Sequence, residues 1–376
     1  MPRSISLFSG VGGLESPEGP EVLCELDPDC RIVLADRFPH ASLHDDVMTL
    51  DVPSDVDVVF GGWPCQDISV AGLRRGLAGN RSGLFFRMVD IAVEAQAHTI
   101  VAENVPNLLR LEGGENFHLV LESLRKSGFR YVSWRVLNAR HFGLPHQRRR
   151  VFIAASLESA GPLSLLASMP DARAEEVSTP SVSSFYWTAG LQGINFSQGF
   201  SPTLKVGSSL SIPSPPALIY GDVVRQVTAV EALRLQGFDP DDFSRVAPKV
   251  VYRAMGNAVA RPVGRFVAEA ALSQRPLNEG GLYPIGAQRS LFDNDRMPVR
   301  WPEAGIDLDG ELLGYRDPLS EWAMSNDLEE LIDADSAERL SARAAAGLLS
   351  RLARSGKSCP PALRSALESL SRGRSN

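Results

Sequence analysis

The sequence holds four cysteines, and one of them, Cys65, sits in DVVFGGWPCQDIS, just past an apolar run, two glycines and Pro64. A free cysteine is ordinarily a small buried hydrophobe, and that reading suits Cys24, within EVLCEL, and Cys30. It suits Cys65 less well, because the loop beyond a strand is where open α/β sheets bind ligands. A nucleophilic thiol has to be accessible and partly ionised, and Pro64 with the glycines would hold Cys65 outside regular structure. Further along, IVAENVPNLL ends an apolar run in Glu103 and Asn104. A carboxyl there can carry a raised pKa and donate a proton, although Glu103 alone reads better as a solvated acid at a strand end. In HFGLPHQRRRVFIA, Arg148, Arg149 and Arg150 precede another apolar run. They form either a solvated turn or a grip on an oxygen or phosphate. No cysteines stand in CxxC spacing, so no metal site is expected.

A glycine-rich turn, SLFSGVGGLE (6–15), follows the first apolar run. Glycines there permit positive φ and close approach of a ligand to the backbone; a single such turn is weak evidence. The next apolar run ends in Glu25, placed to accept hydrogen bonds from ribose hydroxyls, and Asp46 follows another candidate strand in HDDVMTL. Together they imply an adenosine-containing cofactor at the C-terminal ends of strands. The absence of a phosphate-binding lysine motif disfavours ATP.

The elements that must carry these residues are legible as an alternation. Short apolar runs recur at ISLF (5–8), EVLCEL (21–26), VDVVF (56–60), HTIVAEN (98–104), RYVSWRVLNA (130–139) and VFIAAS (151–156). Several are apolar on both faces, as buried parallel strands are. SGLFFRMVDIAVEAQA and ENFHLVLESLRKSG between them have helical periodicity, giving the pattern of a doubly wound α/β sheet. From about residue 158 to 224 the chain turns rich in Ser, Pro and Gly, a loop-rich region whose strands cannot be drawn. Helical patterning returns in 228–238 and 252–272. Residues 275–300 read as a linker, and SAERLSARAAAGLLSRLARSG (336–356) as a basic amphipathic helix with Ser336 as N-cap, followed by a short helix after Pro360 and Pro361.

The 376 residues carry a net charge of −7, which by itself argues against a nucleic-acid partner. The charge is localised: residues 303–338 hold 12 acids against Arg316, net −11, so the rest of the chain is net +4 (−7 minus −11). A basic cleft therefore remains open to it. No apolar run reaches the roughly 18 residues that cross a bilayer, and MPRSISLFSG reads as a strand rather than a secretory leader. A cytoplasmic location, with unpaired cysteines, is the expectation.

The order of these segments carries a resemblance. LFSGVGGLE, ELDP, GGWPCQDISVAG, ENV, HFGLPHQRRRVFI, RQVTAVEALRLQGF and YRAMGNAVARPVG, over roughly residues 5–272, resemble the motif series of the DNA (cytosine-5)-methyltransferase family. The resemblance implies a Rossmann-like domain dependent on S-adenosyl-L-methionine in 1–157, a small, loop-rich target-recognition region in 158–224, and a return to the catalytic domain in 225–274. A linker and acidic segment (275–335) and a basic helical extension (336–376) lie beyond. It implies that Cys65 adds to carbon 6 of a cytosine, that Glu103 serves N3, and that Arg150, with Arg148 less directly, holds O2. The cofactor, converted to S-adenosyl-L-homocysteine, would meet Phe8, Ser9, Gly10, Val11, Gly12, Gly13, Glu25, Leu26, Asp46, Val47, Pro64, Asn257 and Val259. DNA would meet Gln66, Ser69, Arg74, Arg75 and Arg81 in a mobile loop, and Thr203 and Leu204 in the recognition region. A monomer acting on double-stranded DNA, with a cognate restriction endonuclease, in a bacterial or phage-infected cell, is the implied setting. Competing readings are an RNA cytosine-5 methyltransferase and a catalytically silent DNA-binding homologue.

Three departures from the family pattern stand out. Pro17 and Pro20, in LESPEGPEVLCEL, leave little room for the helix that normally follows the glycine turn, so one wall of the cofactor pocket is expected to be thin. His146 replaces a frequent glutamine, and Leu26 replaces an aromatic that would stack on adenine. The basic residues from 339 onward read as a solvated helical appendage in preference to a DNA contact.

Overall fold

The structure, a computed structural model, describes residues 2–15, 18–64, 83–158, 161–170, 181–186, 195–206, 215–221, 223–273, 275, 277–285, 301–322, 324–325, 328–333, 339–355 and 359–372. The chain folds as two compact units, the first made of Met1–Asn138, Arg149–Asp171 and Arg261–Trp322, the second of Ala139–Arg148, Ala172–Ala260 and Ala323–Asn376.

The first unit is built on a mixed sheet. Its strands are β1 (Ser4–Leu7), β2 (Val22–Cys24), β3 (Ser42–His44), β4 (Val58–Gly61), β5 (Thr99–Asn104), β6 (Tyr131–Asn138) and β7 (Arg149–Ser156). They stand in the order β6-β7-β5-β4-β1-β2-β3, parallel except for β7, which runs antiparallel to both neighbours. β1 and β4 are buried along their whole length, as a parallel sheet covered by helices requires. The helices Leu84–Glu94 and Glu115–Lys126 turn Phe85, Met88, Val89, Phe117, Val120 and Leu124 into the same core as Ile5, Val59 and Ile100. This is a doubly wound, Rossmann-like α/β fold. Crossing connections in such sheets place one set of strand ends at a common rim.

The segment 275–335, expected as a linker and acidic stretch, contributes three strands. After β8 to β11, given below, these are β12 (Leu282–Pro284), β13 (Ala304–Leu308) and β14 (Glu311–Tyr315), and β13 pairs with β6. Aromatic packing explains the attachment. Trp301 lies 5.1 Å from Phe117 and 5.8 Å from Trp134, ring centre to ring centre, and donates its indole N–H to Gly114 O at 2.9 Å. Buried Arg135 forks onto Asp317 at 2.7 and 2.6 Å and also donates to Leu165 O and Ser168 O. The high acid content hid these strands: Glu303, Asp309 and Glu311 sit at their ends, outside the apolar positions.

In the second unit, β8 (Val182–Tyr186), β9 (Asn195–Gln198), β10 (Ala217–Tyr220) and β11 (Val223–Gln226) form an antiparallel sheet in the order β11-β10-β8-β9. The helices Ala342–Ser355 and Pro361–Ser371 place Ala345, Leu348, Leu363 and Leu367 against Phe185, Ala217, Ile219 and Val224. The basic extension is therefore no appendage; it covers a face of this sheet and carries Arg343, Arg351, Arg354 and Arg364 outward, exposed. Ser336, expected as its N-cap, lies outside the described residues. The helical stretch 252–272 is two helices, Pro248–Asn257 and Arg261–Leu272, the second with Pro262 in its first turn, where a missing N–H costs nothing. No helix among the described residues is long and apolar enough to cross a membrane.

Candidate active site

Strand register gathers the chemistry of the first unit at one rim. Leu7 pairs with Cys24 and Gly61, Gly61 with Ala102, and Asn104 with Val151. The loops that follow β1, β2, β3, β4 and β5, and the start of β7, thus emerge together.

The loop after β1 is the glycine turn. Phe8, Gly10 and Gly12 take positive φ of 54°, 57° and 78°, and Ser9 N–H donates to Cys24 O at 3.1 Å while Gly12 N–H donates to Ser9 O at 2.9 Å. Glu25 accepts from Gly10 N–H at 2.7 Å through Oε2 and from Asp27 N–H at 2.8 Å through Oε1. The ELDP sequence explains its placement: Asp27 caps the helix Pro28–Arg37, with proline at its first position, so the chain turns sharply just past β2. Burial pushes the Glu25 carboxyl above its usual range, against the pull of those two N–H groups. A carboxylate has about four acceptor sites, so two remain for ligand hydroxyls. Leu26 and Met48, in the loops beyond the neighbouring strands β2 and β3, are 74% and 62% exposed, unusual for large apolar side chains. Asp46 accepts from Met48 N–H at 2.9 Å, and buried Val47 gives its carbonyl to Arg87 Nε at 3.0 Å. A Cβ added to Gly10 would meet nothing within 4 Å. An open backbone turn, a half-buried acid with acceptor sites to spare and exposed apolar side chains together fit an adenosine-bearing cofactor.

Glu103, next to last in β5, stands opposite Phe152 of β7. Arg150, two residues before Phe152, points to the same face and is its diagonal neighbour. Their ion pair follows from that register: Arg150 Nε lies 2.8 Å from Glu103 Oε1, with both side chains mostly buried. Arg149, on the opposite face, pairs with Glu303 instead. Asn104 donates through Nδ2 to Trp63 O at 3.1 Å and accepts from Val105 N–H at 2.8 Å, which pins the residues just ahead of Pro64. A Cβ on Gly62 would lie 3.2 Å from Glu103 Oε2, so the second glycine of GGWPC lets this loop approach the carboxylate. Pro64 is exposed. Cys65, Gln66, Ser69, Arg74, Arg75 and Arg81 lie outside the described residues.

The second unit holds the remaining expected residues. Arg148 is 2% exposed and donates to Leu204 O at 3.4 Å and Gly256 O at 3.2 Å. Fully buried His146 accepts from Leu204 N–H at 3.0 Å through Nε2, and the Thr203 hydroxyl donates to Gln147 O. Tyr186, whose phenol burial pushes upward in pKa, donates to Thr203 O and accepts from Lys205 N–H. Thr203 and Leu204 are thus bound to segment 146–148, and Leu204 is buried. Asn257 is exposed at the end of its helix and Val259 is buried two residues on.

Sequence reasoning passed over four residues that these contacts bring forward. His146 stood out only as a replacement for a frequent glutamine, yet it ties down Leu204. Asn104 was noted only as Glu103's neighbour. Met48 carried no signal beyond its place after Asp46. Arg37 carried no signal in the sequence, although from the end of the helix Pro28–Arg37 it donates to the carbonyls of Val11 and Gly12 in the glycine turn.

Residues 2–183 match the family described as C-5 cytosine-specific DNA methylase. The type II methyltransferase M2.BsuMI of Bacillus subtilis (strain 168) is 34% identical over 381 aligned residues, covering 94% of this chain and 93% of its own length. The type II methyltransferase M.Bsp6I of Bacillus sp. (strain RFL6) is 30% identical, covering 72% of this chain and 98% of its own. A solved structure of a putative DNA modification methyltransferase encoded within an E. coli prophage shares the fold, with a TM-score of 0.50 at 19% identity, over 72% of this chain and 98% of its own.

Proposed function

Because the chain belongs to the C-5 cytosine-specific DNA methylase family, we propose that it methylates carbon 5 of a cytosine flipped out of double-stranded DNA, through a transient bond between Cys65 and carbon 6. The enzyme is a DNA cytosine-5 methyltransferase. Carbon 5 of cytosine is too weak a nucleophile to be alkylated unaided. Attack of the Cys65 thiolate on carbon 6 forms a C–S bond and moves electron density to carbon 5. Glu103 hydrogen-bonds or protonates N3 as negative charge develops there, and Arg150 holds both Glu103 and the base oxygen O2. Loss of the carbon-5 proton to a base and breakage of the C–S bond then restore the aromatic ring and the thiolate. S-adenosyl-L-methionine, bound through the glycine turn, Glu25 and the region of Leu26, Asp46 and Val47, supplies the methyl group. Carbon 6 is inaccessible within a stacked duplex, hence the flipped base.

The observation that carries the reading is the Arg150–Glu103 ion pair at 2.8 Å. It sits at the same rim as the Glu25 carboxylate, on the strand ends that flank the Gly61–Pro64 loop leading to Cys65. In the second unit, Arg148 and His146 hold the backbone of Thr203-Leu204, with buried Leu204 as the anchor and half-buried Thr203 as the residue read as facing DNA; Asn257 and Val259 are assigned to the cofactor, and the 66–81 loop to phosphate contacts through Arg74, Arg75 and Arg81. The enzyme works as a monomer and protects DNA from a cognate restriction endonuclease, a role supported by the type II names of its relatives.

The test is transfer of labelled methyl to unmethylated duplex DNA and to RNA. Label is expected on duplex cytosines, with none for Cys65→Ala, and duplexes carrying 5-fluorocytosine at the target should remain attached to the enzyme. Label confined to RNA, or normal turnover by Cys65→Ala, would overturn the reading.

A further inference from the structure

The glycine turn lacks the helix that the resemblance leads one to expect: among the described residues between Gly13 and Val22 none is helical. The end of the helix Pro28–Arg37 stands in that place instead. Arg37 donates through Nη1 to Gly12 O at 2.6 Å and also to Val11 O. A Cβ on Gly12 would fall 2.5 Å from the Phe38 ring, and one on Gly19 would fall 2.7 Å from it. The Arg37 guanidinium lies 5.2 Å from the centre of the same ring. Phe38 therefore fills the space between the two ends of the shortened connection, and Arg37 fixes two consecutive peptide groups. On the other side, Gly264 of the helix Arg261–Leu272 packs so closely that an added Cβ would lie 1.8 Å from Gly13 O. The expected thin wall is thus closed by side chains from a neighbouring element.

We infer that Arg37 is a positioning residue for the cofactor, taking over with Phe38 the part that a helix N-terminus would play in this turn. A trans peptide directs its N–H opposite to its C=O. By holding the Gly12 carbonyl, Arg37 aims the Gly13 N–H away from itself. Holding the Val11 carbonyl fixes the plane of the Val11–Gly12 peptide, whose N–H reaches Ser9 O at 2.9 Å. With Glu25 holding Gly10 N–H at 2.7 Å, the turn is clamped by a cation on its carbonyls and an anion on its amide. Both charges lie outside the turn, so Gly10, where an added Cβ meets nothing within 4 Å, stays free to face a ligand. A preset turn binds its ligand without an ordering cost.

This inference rests on the assignment of S-adenosyl-L-methionine to the glycine turn, and the experiment separates the two. S-adenosyl-L-homocysteine binding to the full-length protein is measured by calorimetry, and steady-state methyl transfer on unmethylated genomic DNA is measured alongside. Arg37→Met is expected to weaken homocysteine-product binding and raise KM for the methyl donor by about tenfold, the cost of losing charged hydrogen bonds. Its kcat at saturating donor and its KM for DNA should stay within about twofold of wild type. Arg37→Lys, which keeps the charge and reaches one carbonyl, should recover part of the loss and serves as the folded companion should the methionine variant not fold. Unchanged donor KM in either folded variant overturns the inference. So does a fall in kcat and DNA affinity that tracks a lowered melting temperature, the mark of a merely structural role. Failure of the wild type to bind donor or product refutes the cofactor assignment and the inference with it.

Discussion

In the proposed mechanism, the chemistry at Glu103 depends on how near the preceding loop can come. Gly62 has its Cα hydrogen where any other residue would place a methyl 3.2 Å from the Glu103 carboxylate, a separation tighter than ordinary van der Waals contact. Gly62→Ala is therefore expected to shift the carboxylate by a fraction of an ångström and lower kcat roughly threefold while leaving product binding unchanged, since small misplacements of a reacting group are felt in the rate. Glu103→Gln should cost more, roughly 10²- to 10⁴-fold in kcat, the usual worth of a positioned proton donor. Rapid-quench methyl transfer under saturating donor reads both. Glu103 could be singled out in the sequence because ENV stood within an ordered series of motifs; its bond to Arg150 could not, since it arises from a diagonal across two strands whose antiparallel pairing is a tertiary fact.

At the scale of elements, most of the central strands were legible because strands buried on both faces are written as continuous apolar runs, as in VVF (58–60) and IVA (100–102). The second unit's strands were not. β8 to β11 are four or five residues each, separated by Ser, Pro and Gly, and their burial comes from helices more than a hundred residues downstream. One element there is held by charge. Arg225 of β11 forks onto Glu231 at 2.8 and 2.6 Å and donates to Asp333 O at 2.8 Å, while Glu231 accepts from Thr228 N–H and Asp333 N–H, each at 2.8 Å. Both side chains are almost wholly buried. Burial works to raise the Glu231 carboxyl, but the bonds from Arg225, Thr228 and Asp333 win and hold it below the usual range. A depressed carboxyl stabilises fully above its unfolded value, about 4.3, and this contribution fades as pH falls through the folded value. Urea unfolding should therefore show stability dropping below about pH 4, with that part of the slope missing in Glu231→Gln. At neutral pH, Glu231→Ala should cost about 3–5 kcal/mol, because it strands a buried arginine.

For the whole molecule, the C-terminal residues change meaning. The charge pattern made 303–338 look like a linker and 339–376 like a solvated helix, because acids and arginines dominate the composition while the few apolar side chains do the packing. Removing residues 339–376 uncovers Phe185, Ala217, Ile219 and Val224, and stopping near residue 300 also strips β13 and β14 from the large sheet. Either truncation is expected to yield aggregated or protease-sensitive protein; a soluble product with an unaltered melting transition would contradict the packing described.

The backbone passes between the two units five times, at residues 138/139, 148/149, 171/172, 260/261 and 322/323. If the middle segment reads the DNA, as proposed, giving this enzyme a new sequence preference by importing a relative's version becomes a tailoring problem. A transplant of 172–260 brings its own sheet but inherits a lid of Ala345, Leu348, Leu363 and Leu367 cut to the old one, together with the short 139–148 piece that His146 fastens to Leu204. The chimera to build exchanges three stretches at once, tail included.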